Sequence, residues 1–375
     1  VSDAATAPLE IVERDLASFF RVPFEVYGDR YPFVPMLRGD LARTLDPAKN
    51  PLYRALDGTY YTALRGGRPV GRIAAHVHHA ANQRFGERAG SFGFFDLEDD
   101  RATAAALLER AEAFARGHEC TLVRGAMNLT ANQEIGVLTE GDDRRPFLAQ
   151  IYNPAYVAGL LEACGYRPTH PMRTLVKRDI AKVEPERILE DRHRALMVDP
   201  AYRFRPVERR RFAADVEAVR QVLNDAMDGN YLFVPMTEEE AQFQFQALKL
   251  VMDPALCRIA EHEGQPIGVC LAVPDVAPLL QAMRGRLLPF GWLRFLLGRR
   301  RVRDLAVIII LVKKAYHARG VIRVLTHDLY QAAKAGGYTS AGGTWIGDDN
   351  LPSLKAAFAF GLEPYHRTYM FEKAL

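Results

Sequence analysis

The sequence predicts a mixed α/β protein made of two tandem copies of one unit, each a twisted, mainly antiparallel sheet flanked by helices. Three internal repeats carry this reading. Tyr31-Pro-Phe-Val-Pro-Met36 returns as Tyr231-Leu-Phe-Val-Pro-Met236, an offset of 200. Arg68-Pro-Val-Gly-Arg-Ile73 returns as Gln265-Pro-Ile-Gly-Val-Cys270, with Gly71 and Gly268 197 apart. Asn153 and Asn350, each opening a short apolar stretch that ends in Gly165 and Gly361, are again 197 apart. Self-similarity in constant order at nearly constant spacing marks a duplicated structural unit. The boundaries that follow are a first unit over 1–181, a charged linker over 182–194 and a second unit over 195–375.

The elements between these anchors agree. Residues 60–64 and 70–78 alternate or run apolar around Gly66-Gly67, which predicts a hairpin. A strand is expected over 91–97. A helix is expected over 102–116, where Leu107, Leu108, Ala111, Phe114 and Ala115 share a face before Gly117 stops it. A strand over 121–125 and a short helix over 154–163 complete the first unit. The second repeats the order: a hairpin at 258–261 and 267–273, a β-branched strand over 305–312 and a helix over 322–335. A strand over 339–346, a helix over 351–360 and a last strand over 368–372 follow.

Composition bounds the function classes. The 375 residues are 49% hydrophobic and 25% charged, which fits a globular protein with a large core. A net charge of +3 gives no reason to expect a nucleic-acid partner. The four cysteines stand apart, with no CxxC pair, as free thiols of a reducing compartment do. His76, His78 and His79 cluster on a predicted strand without a third ligand on one face, so no metal is expected. The N-terminus has no signal-peptide apolar core and no stretch reaches the length of a membrane span, so the expected location is the cytoplasm.

The order strand, Gly-containing turn, helix, strand, then Asn-x-x-Ser and a Gly-hydrophobic ending resembles the GNAT superfamily, best in the second copy. The resemblance implies a tandem GNAT-fold protein using acyl-CoA as co-substrate. It places the pyrophosphate turn at Val312-Lys313-Lys-Ala-Tyr316-His317-Ala-Arg319-Gly320-Val321-Ile322, with Gly320 at the first family glycine. His317 and Ile322 depart from the family pattern there. A strand-to-helix turn of this kind offers backbone N–H groups and the positive end of a helix to an anion. The resemblance further implies Asn350 and Ser353 beside the pantetheine arm, and backbone N–H groups over Leu311, Val312 and Lys313 facing the thioester. Phe358 stands near the position where relatives carry a general-acid Tyr.

The first copy reads differently. Its turn, Phe95-Asp96-Leu-Glu98-Asp99-Asp100, is acidic. A like-charge pair close to a surface costs about 4 kcal/mol, so this copy is not expected to bind CoA. Capping of the next helix is the simpler reading of Asp99 and Asp100. Asp96 and Glu98 stay open, with holding a cationic amine as one option.

A narrower resemblance, to the bacterial ceramide synthase group, rests on Gly93-Phe-Phe-Asp-Leu-Glu-Asp-Asp100 and Arg124-Gly-Ala-Met-Asn128-Leu-Thr-Ala-Asn132-Gln-Glu-Ile-Gly136. Tyr152-Asn-Pro-Ala-Tyr156 and Trp345-Ile-Gly-Asp-Asp-Asn350 add to it. It implies N-acylation of a long-chain amine such as 3-ketosphinganine or sphinganine by a fatty acyl-CoA. Residues 287–303 combine apolar bulk and Trp292 with Arg294, Arg299, Arg300, Arg301 and Arg303. That is the composition of an interfacial anchor on an anionic membrane surface. The alternative is a buried helix with a solvated basic end, for which Pro289, Gly291 and Gly298 are awkward. Acyl transfer needs a neutral amine, a stabilised oxyanion and a protonated thiolate. The strand over 305–312 carries no carboxylate, so Asp348 and Glu98 are the candidate bases, with Tyr316 or His317 as candidates to assist the thiolate. Two other readings share the fold: a Fem-like transferase using aminoacyl-tRNA, and a non-catalytic acyl-CoA or lipid-binding protein.

Overall fold

The computed structural model describes residues 7–375. The first half contributes β1 (Leu9–Glu13), β2 (Leu56–Arg65), β3 (Arg68–His78), β4 (Ala89–Leu97), β5 (Leu122–Gly125), β6 (Val137–Glu140) and β7 (Arg167–Lys177). The second contributes β8 (Tyr202–Pro206), β9 (Cys257–His262), β10 (Gln265–Pro274), β11 (Asp304–Val312), β12 (Ser340–Gly343), β13 (Ile346–Gly347) and β14 (Glu363–Ala374). Every pairing is antiparallel except β4 with β5 and β11 with β12, which are parallel. The expected strand over 339–346 is broken at Thr344 and Trp345 into β12 and β13, and the expected 368–372 strand runs far longer as β14. The stretch 182–194, read as a linker, holds the turn Pro185–Ile188 and the start of the helix Asp191–Val198.

The halves exchange their last strands. The sheet runs β1-β2-β3-β4-β5-β14-β7-β12-β11-β10-β9-β8. Thus β14 pairs with β5, Phe371 opposite Gly125, while β7 pairs with β12, Val176 opposite Gly342. The exchange reaches the core. Phe371 of β14 is 1% exposed and packs among first-half residues such as Phe92 and Val123. Burying one such ring contributes about 1.5–3 kcal/mol.

The repeated glycines mark where a helix crosses the sheet. A Cβ on Gly71 would lie 2.7 Å from Leu107 Cδ1, on the helix Arg101–Gly117. One on Gly268 would lie 3.2 Å from both Leu325 and Val321, on the helix Val321–Ala335. That second helix buries Val321, Val324, Leu325 and Leu329, a spacing of three to four that forms one face. Bulges sit at matching places. The β3–β4 register shifts between Arg72 and Ala74, and the β10–β11 register between Leu271 and Ala272. Each extra residue bends its strand, and past each bulge the parallel neighbour falls away.

Candidate functional site

Both gaps open on one cavity of about 1280 Å³, lined from both halves. This exceeds the roughly 300–1,000 Å³ usual for small-molecule pockets. Its second-half wall begins where β11 leaves β12. Their ladder ends at Val307–Gly343, and Ile308, Ile309, Ile310 and Leu311 then line the cavity. Across the gap stand Asn350, Ser353, Ala356 and Ala357 of the helix Leu351–Ala359. Asn350 caps that helix, its side-chain oxygen accepting from Ser353 N at 3.2 Å.

Backbone direction selects the donor on β11. Lys313 N donates to Ile267 O at 2.8 Å, so it is spent on β10. Directions alternate along a strand, so Leu311 turns the same way and Val312 turns its N–H toward the gap. Val312 O, which turns the same way as its N–H, is bonded to His317 Nε2 at 2.9 Å. Of Leu311, Val312 and Lys313, the one aimed at the gap is Val312.

The turn that follows leads into a helix that no side chain caps. Its first N–H groups and the positive end of its dipole are therefore not met by a capping side chain. Ile322 and Thr326 of this helix reach the cavity wall. Arg319 is exposed and lies over the Tyr316 ring at 4.8 Å, whereas Lys314 is taken by Asp228 at 3.1 Å. Gly320 has φ +83°, and a Cβ there would meet His193 Cδ2 at 2.3 Å. A side chain at Gly320 therefore breaks the turn itself, whatever it does to binding.

The first half carries its own polar and aromatic residues at the positions that stay open around the second gap. Asp100 caps the helix Arg101–Gly117, accepting from Thr103 N at 2.9 Å, so a carboxylate fills the anion position. Burial alone would raise the Asp100 carboxyl, but the Thr103 hydroxyl, Arg65 at 2.8 Å and the helix N–H groups of Thr103 and Ala102 together outweigh it and hold the carboxyl down to about 2. Tyr156, which stands 197 residues before Ser353, donates from its hydroxyl to Leu97 O at 2.6 Å. The space left by Ser353 in one half is thus filled by a tyrosine ring tied to the end of β4 in the other.

The residues expected to handle protons lie elsewhere. Asp348 receives Arg173 at 2.8 Å and Arg367 at 2.6 Å, which hold its carboxyl below the usual carboxylate range. It ties the β13 turn to β7 and β14, and the cavity wall contains its neighbour Asp349 instead. Glu98 pairs with Arg65 and with Arg68 at 2.7 Å on the hairpin, away from the cavity lining. The Tyr316 hydroxyl meets His262 Nδ1 at 3.1 Å, and His317 is pinned to Val312 O, so neither lines the cavity. Phe358 is 43% exposed, and Phe360 reaches the wall in its place. Among the described residues no group of three or more His, Cys, Asp or Glu is placed to hold a metal.

What the cavity does contain is Glu134, on the loop closed by the Met127–Ile135 bridge. One oxygen accepts from Asn128 Nδ2 at 2.8 Å, while Asn128 Oδ1 accepts from Phe94 N at 2.7 Å, at the β4 bulge. Burial pushes the Glu134 carboxyl up to about 7, with Asp96 adding to the rise and Asn128 and Arg72 opposing it. Its motif, Asn128-Leu-Thr-Ala-Asn132-Gln-Glu134, is visible in the sequence, but nothing local shows that this acid is enclosed. Beside it, Asp96 is held by Arg72 at 2.6 Å and by the Tyr27 hydroxyl at 2.9 Å.

Comparisons with known proteins bear on the fold. No protein-family model matches the chain. The bacterial ceramide synthase of Caulobacter vibrioides is 27% identical over 387 positions, spanning 100% of this chain and 99% of its own length. Protein YghO of Escherichia coli is 27% identical across 97% of this chain and 94% of its own. Among solved structures, a tandem GNAT protein from the clavulanic acid biosynthesis pathway superposes with a TM-score of 0.59 at 14% identity, covering 98% of both chains. A GCN5-related N-acetyltransferase from Sphaerobacter thermophilus gives 0.53 at 13% identity, covering 98% and 97%. The chain carries the tandem GNAT fold, one unit used twice, and resembles the bacterial ceramide synthase along its whole length.

Proposed function

We propose that the chain is an acyl-CoA-dependent N-acyltransferase that acylates a long-chain sphingoid base, 3-ketosphinganine or sphinganine, to a (keto)dihydroceramide. The carrying observation is the inequality of the two gaps. The second is flanked by small residues and followed by an uncapped helix, whereas at the first Tyr156 stands where the second has Ser353 and Asp100 caps the following helix. Acyl-CoA fits the second gap, with phosphates at the turn through Gly320, Val321, Ile322 and Arg319. Its pantetheine arm runs past Asn350 and Ser353, and its thioester oxygen lies at Val312 N–H. A fixed donor there stabilises the charge that develops on that oxygen. The size of the cavity and the full-length likeness to the Caulobacter protein support a lipidic substrate. Incubation with fatty acyl-CoA and sphinganine should release free thiol and give an N-acyl product by mass. No amine-dependent release with any chain length would end this reading.

The reading includes docking on an anionic membrane, on the cytoplasmic face. No helix among the described residues is long and apolar enough to cross a bilayer. Residues 287–303 form the short helix Gly291–Gly298 and the turn Arg299–Arg301. Leu288 (77%), Phe290 (75%) and Leu297 (67%) are exposed there, beside five arginines. All four cysteines are unpaired, as suits a reducing compartment. Replacing Leu288, Phe290 and Trp292 together by Ser should cut partition onto anionic vesicles more than about tenfold, since each buried side chain contributes roughly 1.5–3 kcal/mol. Sedimentation of the triple variant equal to that of the unaltered protein would remove the membrane claim.

A further inference from the structure

We infer that the first half supplies the acceptor subsite, with the Glu134 carboxylate binding the amine and taking its proton. The inference rests on the N-acylation reading and adds what that reading leaves unassigned: where the amine sits and which group handles its proton.

The placement is geometric first. Glu134 belongs to the first half, but its loop is clamped to the second. Asn132 Nδ2 donates to Val234 O at 3.2 Å, and Gln244 Nε2 donates to Asn132 O at 2.8 Å. Ala131 and Ile135 pack with Tyr231, Leu232 and Trp345, and Trp345 follows β12 at the open gap. The carboxylate therefore faces the shared cavity close to the junction of the halves.

The cation near it is already paired. The nearby guanidinium, Arg72, is used by Asp96 at 2.6 Å and by Phe19 O at 3.1 Å. Among the described residues Glu134 has Asn128 as its side-chain partner and no ion pair. A half-buried carboxylate in an apolar wall without a counter-charge is costly, and an ammonium group offsets that cost directly. Two more wall atoms, Gln133 Oε1 and His170 Nε2, are buried with no partner among the described residues. Gln133 Oε1 can accept from the hydroxyl next to the amine of a sphingoid base, and His170 Nε2, when it carries the proton, can donate to a carbonyl there. Farther along, Val34, Leu37, Leu280, Met283, Leu287 and Phe295 make the wall apolar, as an alkyl chain requires. Leu287 and Phe295 belong to the same segment that exposes Leu288 and Phe290, so the chain path leads toward the proposed membrane face.

The chemistry balances. The amine lone pair attacks the thioester carbon and the C–N bond forms. The C–S bond breaks, and its electron pair leaves on sulfur. Two protons leave the nitrogen: the ammonium first gives one to Glu134, which passes it to solvent and frees the lone pair for attack, and the second, lost as the C–N bond forms, passes to Glu134 and then to the thiolate. Amine and thioester become amide and thiol. A carboxyl titrating near neutral pH is matched to this exchange, and burial with Asp96 nearby sets Glu134 there against the smaller pull of Asn128 and Arg72.

The test uses the full chain with Glu134→Gln and Glu134→Asp, reading palmitoyl-CoA affinity, sphinganine-dependent thiol release against pH, and hexadecylamine binding by calorimetry. In E134Q, kcat/KM for sphinganine should fall about 100-fold, within the range for lost acid–base catalysis. The inflection near neutral pH should vanish, hexadecylamine should bind at least tenfold more weakly, and palmitoyl-CoA affinity should stay unchanged. E134D keeps the charge and should recover part of both losses. Wild-type kcat/KM and hexadecylamine affinity in E134Q would overturn the inference and leave N-acylation standing. Glu134-dependent hexadecylamine binding without any thiol release from the unaltered protein would do the reverse.

Discussion

Ser353→Tyr should abolish CoA binding while leaving the fold intact. Ser353 is exposed to the second-half gap, and Tyr156 occupies the matching place in the first half. There the ring fills the gap and its hydroxyl bonds Leu97 O, the end of β4. The same ring at 353 would reach toward the end of β11 and occupy the path of the pantetheine arm. The expected loss is at least 100-fold in affinity, about 2.8 kcal/mol at tenfold per 1.4 kcal/mol. Thermal stability should hold or rise slightly, because no core atom is displaced. Calorimetric titration with CoA and a melting curve measure both. CoA affinity unchanged in S353Y would mean that the cofactor does not run past Ser353, and the second-half assignment would fall. Gly320 is the poorer place for this test, since any side chain there collides with His193.

Acidification from pH 6.5 to 5 should destabilise the chain by several kcal/mol. Burial holds His76 down to about 3 and His78 and His366 down to about 4. Each has a folded value below the ordinary 6.5, so the unfolded chain binds more protons below that pH. Stability is therefore full above 6.5 and is lost as pH falls toward the folded values. At 1.36 kcal/mol per unit, a drop of 1.5 units costs roughly 2 kcal/mol per histidine. Glu134 works against them, because its raised carboxyl favours the folded state at low pH by a similar amount. Three histidines against one glutamate leave roughly 4 kcal/mol, a large share of the 5–15 typical of folded proteins. Urea denaturation between pH 7.5 and 5 reads this directly. A flat or rising stability would show that these rings are not held neutral. His76→Phe, at a site 0% exposed, should lessen the slope.

The duplication, the alternating elements and the acidic character of the first turn are local properties, and the sequence was enough for them. Glycines at constant spacing, apolar faces of period two or three to four, and an aspartate before a helix are set by residues a few positions apart. Asp100 as a cap is of this kind, and the helix Arg101–Gly117 begins on it. The inequality of the halves is legible in the same way, since Ser353 and Tyr156 already differ at equivalent positions.

Proton handling was not legible, because it depends on which groups are spent on others. Asp348 looks like a free acid after a strand until Arg173 and Arg367 arrive from β7 and β14, about 175 and 20 positions away along the chain. Glu134 looks like one more surface acid until its loop closes against Tyr231 and Trp345 and leaves it half-buried in the cavity wall. Strand exchange was hidden for the same reason. The pairing of β14 with β5 and β7 with β12 joins residues far apart in sequence, and each half alone offers the same strand for either place. By itself the sequence determined that one unit is used twice and that the turn before the helix is acidic in the first copy and basic in the second. Tertiary structure alone decided that the halves complete each other's sheets and which carboxylate is left without a counter-charge, because burial and charge pairing are properties of neighbours in space.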